Sequence, residues 1–341
     1  MQVATRIVTL ELEEPFTIAR GTETEVEVIQ VEITHDGVTG HGEGTPVERY
    51  EESSGSALAY IEAYGGELGD DPFALDEILA RLPAEEFAAR CAIDAALYDL
   101  FGKLVGLPVW RLLGLRREGP PTSWTITLND PDTMARAAER ASGGRFHRLK
   151  LKLGGRDGLD VERVRAVRAS TDLPLQVDVN EYWSFDEALD ALPELAGMAV
   201  QYCEQPLAAG DPQGPELKRR SPLPIYVDED CHTLADIPSC AERAHGVNIK
   251  LAKSGGIREA VRIAHAARAL GLGVMLGCMI ESGLGISAAC QIASLCDHVD
   301  LDGNLLLAHD PCPGVELVDG VQLPPTAPGL GVHAEAVSRS R

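Results

Sequence analysis

The chain has 341 residues, of which 45% are hydrophobic and 24% charged, a composition typical of globular proteins. Its 53 acidic and 30 basic side chains give a net charge of −23, which argues against a nucleic-acid partner because phosphates would be repelled. No run of 18 apolar residues and no secretory signal is found at the sequence level, so we expect no membrane association. The eight cysteines include no C-x-x-C pair, which favours reduced thiols and a cytoplasmic location.

The first third of the chain indicates a mixed α+β unit. Residues 3–12 and 25–33 alternate apolar and polar side chains, the pattern of antiparallel strands with one solvated face. Residues 16–21 are predicted to form a loop, and the glycine-rich residues 37–44 a turn. Helices are predicted over 72–82 and 84–104, with a short helical turn over 109–113.

From about residue 124 onward, short apolar strands alternate with amphipathic helices. Eight strand candidates are present, namely SWTITL, FHRLKLKL, LPLQVDV, AVQYCEQP, PIYVDED, GVNIKLA, GVMLGCM and HVDLDGNLLL. About seven helices follow them, and repeated βα units imply parallel strands with right-handed crossovers. Eight units in about 200 residues favour a closed barrel over an open sheet. No glycine-rich nucleotide motif follows any of these strands.

Charged side chains stand at the ends of the predicted barrel strands, where active sites of such barrels lie. Lys150 and Lys152 share the parity of the second strand, and both point inward if the intervening leucines face the helices. Asp178, Glu204 and Asp228 end the next three strands. Three crowded carboxylates require a cation, and oxygen ligands favour Mg²⁺.

A further lysine, Lys250, lies on the sixth strand, across the barrel from Lys150 and Lys152. A substrate carboxylate held by the metal would then have one amine on each face of its α-carbon. We expect nearby cations and burial to lower the lysine pKa values toward the working range. This arrangement favours removal of a proton α to a carboxylate, and its replacement on the other face inverts the centre.

The ordered set of motifs is similar to that of the enolase superfamily. The matching segments are RLKLKLG, VDVNEYWS, YCEQPL, YVDED, NIKLAKSGG and VDLDG, together with the N-terminal PFTIARGTETE and CAIDAALYDLFGKLVGLPVWRLLG. Within that superfamily the chain resembles the muconate-lactonizing-enzyme-like subgroup, and in particular the dipeptide epimerases. The resemblance covers the whole chain.

The resemblance implies an α/β fold, a (β/α)7β modified TIM barrel with an α+β capping domain. We place the capping domain at residues 1–117, completed by about 318–341, and the barrel at 118–317. The implied activity is Mg²⁺-dependent inversion of the α-carbon of the C-terminal residue of a dipeptide, L-Ala-D/L-Glu or a related one. It proceeds by two-base proton transfer through an enediolate.

The resemblance also implies the roles of individual residues. One Mg²⁺ per active site is held by Asp178, Glu204 and Asp228, and Lys152 and Lys250 form the acid/base pair. Supporting residues are Lys150, Lys253, Asn180 and Glu229, and the substrate is bound by Asp300, Asp302, Thr125, Arg20, Lys150 and Met279.

Physical arguments support the roles of Lys250 and of the D-x-D pair, whereas the role of Arg20 rests on the resemblance alone. The parity of Asn248, Lys250 and Ala252 along the sixth strand favours Lys250 over Lys253 as the base. The two carboxylates of the D-x-D motif suit a substrate ammonium. An arginine at position 20 could pair with an acidic substrate side chain, as in Ala-Glu epimerases, or could simply be exposed.

Two departures from the resemblance concern the same loop. Asp230 stands where the family usually has serine, and the segment from there to Lys250 is slightly short. Both bear on loop geometry more than on the chemistry.

Several alternatives remain open. A cycloisomerase or an o-succinylbenzoate synthase would share the fold, but such substrates have no ammonium for the D-x-D motif. A catalytically silent binding barrel is disfavoured because unused buried charges are costly. A Schiff-base aldolase would need one lysine but no metal site. A small dipeptide is the expected partner, and a homo-oligomer is left open.

Overall fold

The computed structural model describes residues 1–332, and the chain begins with a three-stranded antiparallel sheet. Its strands are β1 (Gln2–Ile18), β2 (Gly21–His35) and β3 (Val38–Gly44). The pairing of β1 with β2 shifts register between Glu11 and Phe16 and then resumes. The predicted loop over 16–21 is therefore wrong except at Ala19 and Arg20, which form the turn. Thr17 pairs with Thr22, and the N–H of Thr17 donates to Thr127 Oγ1 at 2.5 Å.

The glycine-rich segment that was predicted to be a turn is strand β3, and this prediction is also wrong. Only Asp36 and Gly37 form the turn, both with positive φ. A Cβ on Gly40, Gly42 or Gly44 would collide with backbone atoms of the long helix that packs against the sheet. The alternating glycines therefore allow close helix packing and do not break the strand.

Four helices accompany this sheet: α1 (Ser54–Tyr64), α2 (Leu75–Arg81), α3 (Phe87–Val105) and α4 (Val109–Leu112). The predicted helices over 72–82 and 84–104 correspond to α2 and α3. Helix α1 was not predicted, although Ser53 and Ser56 form a capping box at its start. Helix α3 is buried along most of its length and packs against β2 and β3.

The second part of the chain is a parallel barrel. Its strands are β4 (Trp124–Ile126), β5 (Leu149–Lys152), β6 (Leu175–Asp178), β7 (Val200–Glu204), β8 (Ile225–Val227), β9 (Gly246–Lys250), β10 (Gly273–Gly277) and β11 (His298–Asp300). The helices around it are α5 (Pro131–Ser142), α6 (Asp160–Ser170), α7 (Phe185–Gly197), α8 (Gly214–Arg220), α9 (Ile237–Arg243), α10 (Leu251–Ser254), α11 (Ile257–Ala269) and α12 (Gly283–Cys290).

The strands follow one another in chain order from β4 to β11, all parallel. A parallel bridge between Thr122 and Val299 brings the last strand beside the first. Leu149, Leu151 and Leu153 pack into the apolar layer under the helices. The predicted (β/α)7β barrel with an α+β capping domain is confirmed, and all eight predicted strands are present.

The C-terminal segment contacts both parts. The hairpin of β12 (Glu316–Val318) and β13 (Val321–Leu323) lies beside the barrel, where Gly320 O accepts from Thr122 N at 2.7 Å. Farther on, Leu330 N donates to Asp99 of α3 at 2.7 Å. The C-terminal segment predicted to complete the capping domain spans about 318–341, and residues 333–341 of it lie outside the described residues.

Two sequence expectations concern the chain as a whole. All eight cysteines are free thiols, seven of them buried, as expected from their spacing. Within residues 1–332, no helix is both long enough and apolar enough to cross a bilayer.

Candidate active site

A cavity of about 550 Å³ lies between the carboxyl ends of the barrel strands and the N-terminal sheet. Predicted site residues that line it are Arg20, Thr125, Lys150, Lys152, Asn180, Lys250, Met279, Asp300 and Asp302. Sequence reasoning missed its apolar wall, which includes Phe16, Ile18, Val26, Val47, Ile280 and Leu306. Phe16 and Ile18 belong to the matching segment PFTIARGTETE, but apolar side chains carry no chemical signal that would place them at the cavity.

Two of the three predicted metal ligands contact lysines of β5. Asp178 and Glu204 end the neighbouring strands β6 and β7 and are fully buried. Lys152 Nζ lies 2.6 Å from Asp178 Oδ2, and Lys150 Nζ lies 3.2 Å from the same oxygen and 2.8 Å from Glu204 Oε2. Asn180 Oδ1 accepts from Lys152 at 3.4 Å.

The third predicted ligand, Asp228, follows β8 and lies between two lysines. Lys250 Nζ is 2.7 Å from Asp228 Oδ2, and Lys253 Nζ is 2.5 Å from Asp228 Oδ1. Lys250 lines the cavity, whereas Lys253 does not line it and donates to Asn248 O at 2.8 Å. The parity argument holds only to Lys250, because α10 begins at the next residue and Ala252 is helical rather than extended.

Burial and charge act in opposite directions on this cluster. Burial alone would raise the pKa of Asp178 and Asp228, but the lysines beside them lower both below their usual range. Burial and the charge of Asp178 raise the pKa of Glu204. Burial lowers the pKa of Lys250, but Asp228 more than offsets it, so the pKa lies above its usual value. The expected lowering of the lysine pKa values is therefore wrong for Lys250 in the ion-paired state.

The carboxylates have the chemistry of a hard-cation site. Asp178, Glu204 and Asp228 are buried oxygen donors, and Glu204 Oε2 and Asp228 Oδ2 receive no hydrogen bond of good geometry despite the nearby ammonium groups. Within residues 1–332, no three acidic, His or Cys side chains are arranged to hold an ion as they stand, because lysines lie between the carboxylates. Asp178 and Glu204 nevertheless lie close enough to share Lys150, and the donor set of the three carboxylates fits Mg²⁺.

The D-x-D pair lies at the carboxyl end of β11, where Asp300 is the last residue of the strand and Asp302 follows it. Thr125 N donates to Asp302 Oδ2 at 2.7 Å, and Thr125 Oγ1 donates to Asp300 Oδ1 at 3.5 Å. Lys150 donates to Asp300 Oδ2 at 2.8 Å, so this lysine connects the D-x-D pair to Glu204. Burial and the charge of Asp300 raise the pKa of Asp302 to about 7.

Two arginines from the N-terminal part reach the barrel loops. Arg20, in the turn between β1 and β2, lies 2.8 Å from Glu229 and 3.3 Å from Glu181. Arg49 pairs with both oxygens of Glu181 at 2.8 Å. Arg20 is thus held by carboxylates of the protein itself. Arg49 and Glu181 were not predicted, because nothing in the sequence relates positions 132 residues apart.

Comparisons with known proteins agree with this geometry. Residues 1–114 match the family "Mandelate racemase / muconate lactonizing enzyme, N-terminal domain", and residues 132–336 match "Enolase C-terminal domain-like". The L-Ala-D/L-Glu epimerase of Bacteroides thetaiotaomicron is 39% identical over 95% of this chain and 85% of its own.

Two solved structures are similar over nearly the whole chain. A substrate-liganded L-Ala-D/L-Glu epimerase from Bacillus subtilis superposes with a TM-score of 0.94 at 30% identity, covering 99% of each chain. A dipeptide epimerase from Enterococcus faecalis, complexed with Mg and L-Leu-L-Tyr, gives a TM-score of 0.93 at 33% identity, covering 97% of this chain and 98% of the other. The chain therefore belongs to the mandelate racemase/muconate lactonizing enzyme family of the enolase superfamily.

Proposed function

We propose that this protein is a Mg²⁺-dependent dipeptide epimerase, an isomerase that inverts the α-carbon of the C-terminal residue of a dipeptide. The observation that carries the proposal is one cavity lined by Lys152 and Lys250, which end strands four apart in the barrel, and by the buried pair Asp300 and Asp302. A dipeptide carries both a carboxylate and an ammonium group, so it complements a cavity that presents lysine side chains as well as carboxylates. The relatives of this chain include an L-Ala-D/L-Glu epimerase, and similar solved structures include epimerases with a bound substrate or dipeptide.

The two proposed bases face each other across the cavity. Lys152 ends β5 and Lys250 ends β9, four strands apart in a barrel of eight. An α-carbon held between them presents one face to each amine. One lysine takes the α-proton and the other returns a proton on the opposite face, which inverts the centre through an enediolate.

The carboxylates Asp178, Glu204 and Asp228 are the proposed metal ligands. When bound there, Mg²⁺ supplies positive charge for the developing negative charge on the substrate carboxylate. Lys150 stands beside Asp178 and Glu204 and adds a fixed positive charge at the same place. Asn180, Glu229 and Lys253 support this set through the contacts described above, and Met279 contributes to the cavity wall.

The D-x-D pair is the proposed site for the free α-ammonium of the substrate. Asp302 is buried, and the backbone N–H and side chain of Thr125 and the charge of Lys150 offset only part of the effect of burial on its pKa. An ammonium group would favour the ionised form of this carboxyl and would lower its raised pKa. A cycloisomerase or o-succinylbenzoate synthase substrate would bring no ammonium group to this pair, so the dipeptide is favoured.

Asp302→Asn tests this assignment. We expect kcat/KM for free dipeptides to fall about 10–100-fold, because a hydrogen bond to a charged group is worth about 1.5–3 kcal/mol. Asp302 is the cleaner choice, since Asp300 also pairs with Lys150. N-acetylated dipeptides should be poor substrates of the parent enzyme and indifferent to the change. Equal turnover of free and N-acetylated dipeptides by the parent enzyme would show that the assignment is wrong.

The identity of the C-terminal residue of the dipeptide is proposed only as a class of side chain. Arg20 lines the cavity at its metal-cluster side, where the C-terminal residue would lie, and could pair with an acidic side chain. It would have to share or exchange Glu229 and Glu181 to do so. We therefore propose L-Ala-D/L-Glu or a related dipeptide as the substrate.

The domain division is likewise proposed. Residues 1–117 with the segment from 318 form the capping domain, and residues 118–317 form the barrel. The contact between Leu330 and Asp99 supports this assignment of the C-terminal segment, although β13 also contacts the barrel through Gln322 and Leu301.

A further inference from the structure

Asp230 stands directly beside the proposed metal ligand loop, at the position where serine was expected. Its carboxylate accepts hydrogen bonds from three separate donors. Gln205 Nε2 donates to Oδ2 at 2.8 Å, and Gly210 N and Arg243 Nη1 donate to Oδ1 at 2.8 and 3.0 Å. One carboxylate thus ties together the loop after β7, the loop after β8 and helix α9.

The first of these donors connects Asp230 to the backbone of the proposed metal ligand. Gln205 is buried, and its Oε1 accepts from the N–H groups of Asp228 at 2.8 Å and Glu229 at 3.1 Å. Its Nε2 donates to Leu207 O at 2.9 Å as well as to Asp230. All four hydrogen-bonding positions of the amide are used, so a reversed amide would place donor against donor.

The backbone at Gln205 adds to the need for support. Gln205 has a φ of +35°, in the left-handed region that residues with a side chain seldom adopt, so surrounding contacts must hold it there. The carboxylate of Asp230 supplies one of these contacts and is itself balanced by Arg243, in an ion pair that is mostly buried. A serine hydroxyl has one oxygen for three donors and no charge for Arg243.

We propose that Asp230 is a positioning residue for the metal site, acting through the amide of Gln205 on the backbone of Asp228 and Glu229. It fixes which end of that amide faces the two N–H groups, and so fixes the direction in which Asp228 leaves β8. This inference rests on the proposed function, since it takes Asp228 to be a metal ligand.

The test is Mg²⁺ binding to the purified, metal-stripped full chain, measured by calorimetry. For Asp230→Ser and the milder Asp230→Asn we expect the dissociation constant for Mg²⁺ to rise about 10-fold or more, as is typical when a group behind a ligand is changed. Gln205→Leu should have an effect of similar size. The double variant of Gln205→Leu with Asp230→Ser should be little worse than either single one, because both act along one path.

Asp297→Ser is the matched control. Asp297 also pairs with an arginine, Arg268, and accepts from a backbone N–H, that of Val274, but at the other end of the barrel. The Asp297→Ser substitution should lower thermal stability and leave Mg²⁺ affinity unchanged.

The two proposals fail in different ways. If the folded Asp230 variants bind Mg²⁺ within about twofold of the parent, Asp230 has a purely structural role and the inference is overturned. If the effects of Asp230→Ser and Gln205→Leu simply add, the path through Gln205 is overturned. A parent protein that binds no Mg²⁺ would overturn the proposed metal site along with this inference.

Discussion

Lys152→Ala and Lys250→Ala should each abolish epimerisation while retaining exchange of the α-proton in one epimer. Each variant keeps one amine on one side of the cavity, so it can remove and return a proton on that face but cannot invert the centre. Loss of a general acid–base group costs about 10²–10⁴-fold, so the remaining exchange is slow but measurable. The measurement is α-deuteration of each pure epimer in D₂O, where the two variants should exchange opposite epimers.

Lys218→Ala is the matched control for this pair. Lys218 lies on α8, outside the barrel, and donates to Ala241 O at 2.7 Å, so epimerisation should continue at the parent rate. Epimerisation near that rate by either of the two active-site variants would reduce the scheme to one base. Lys253 or a water molecule would then be the partner to examine.

Removal of a single proposed metal ligand should have the second large effect. Asp178→Asn, Glu204→Gln and Asp228→Asn should each weaken Mg²⁺ binding and activity by at least about 100-fold, beyond the 10–100-fold loss usual for changes around a ligand. Chelation of the parent enzyme should abolish activity, and added Mg²⁺ should restore it.

These variants also leave buried lysines short of a partner. Breaking a buried ion pair costs about 3–5 kcal/mol, so thermal melting must show that each variant is folded at the assay temperature. Asp190→Asn, at an exposed position of α7, should change neither metal binding nor stability. Full activity of a metal-stripped parent enzyme would contradict the metal-dependent mechanism.

The barrel could be predicted because strands and helices alternate regularly along the sequence and because charged residues stand at the ends of the strands. Lys150 and Lys152 share one side of β5 because alternation along a strand is strict, and the leucines between them go to the helix layer. The positions of Asp178, Glu204 and Asp228 follow from a second rule, that the carboxyl ends of parallel barrel strands meet at one face. These features depend on local pattern and on one topological rule, so they can be read from a single sequence.

The errors arise where long-range packing decides the structure. The glycines of β3 resemble a turn locally, yet they are needed because α3 lies against them. Residues 16–18 remain in β1 because the barrel loop at Thr127 binds the backbone of Thr17. The pairing of Arg49 with Glu181 joins positions 132 residues apart. In the ion-paired arrangement the pKa of Lys250 is raised because the charge of Asp228 offsets the effect of burial.

The central claim is that the enzyme inverts the C-terminal α-carbon of a dipeptide by exchanging its proton with solvent. The direct measurement is incubation of the parent enzyme with Mg²⁺ and a dipeptide library in D₂O, followed by mass spectrometry and by separation of the epimers. We expect each substrate, starting from either epimer, to reach the same mixture, with a single deuterium at the α-carbon of the C-terminal residue. Absence of deuterium from every dipeptide, with borohydride trapping of a carbonyl compound on a lysine, would contradict the account and indicate Schiff-base chemistry.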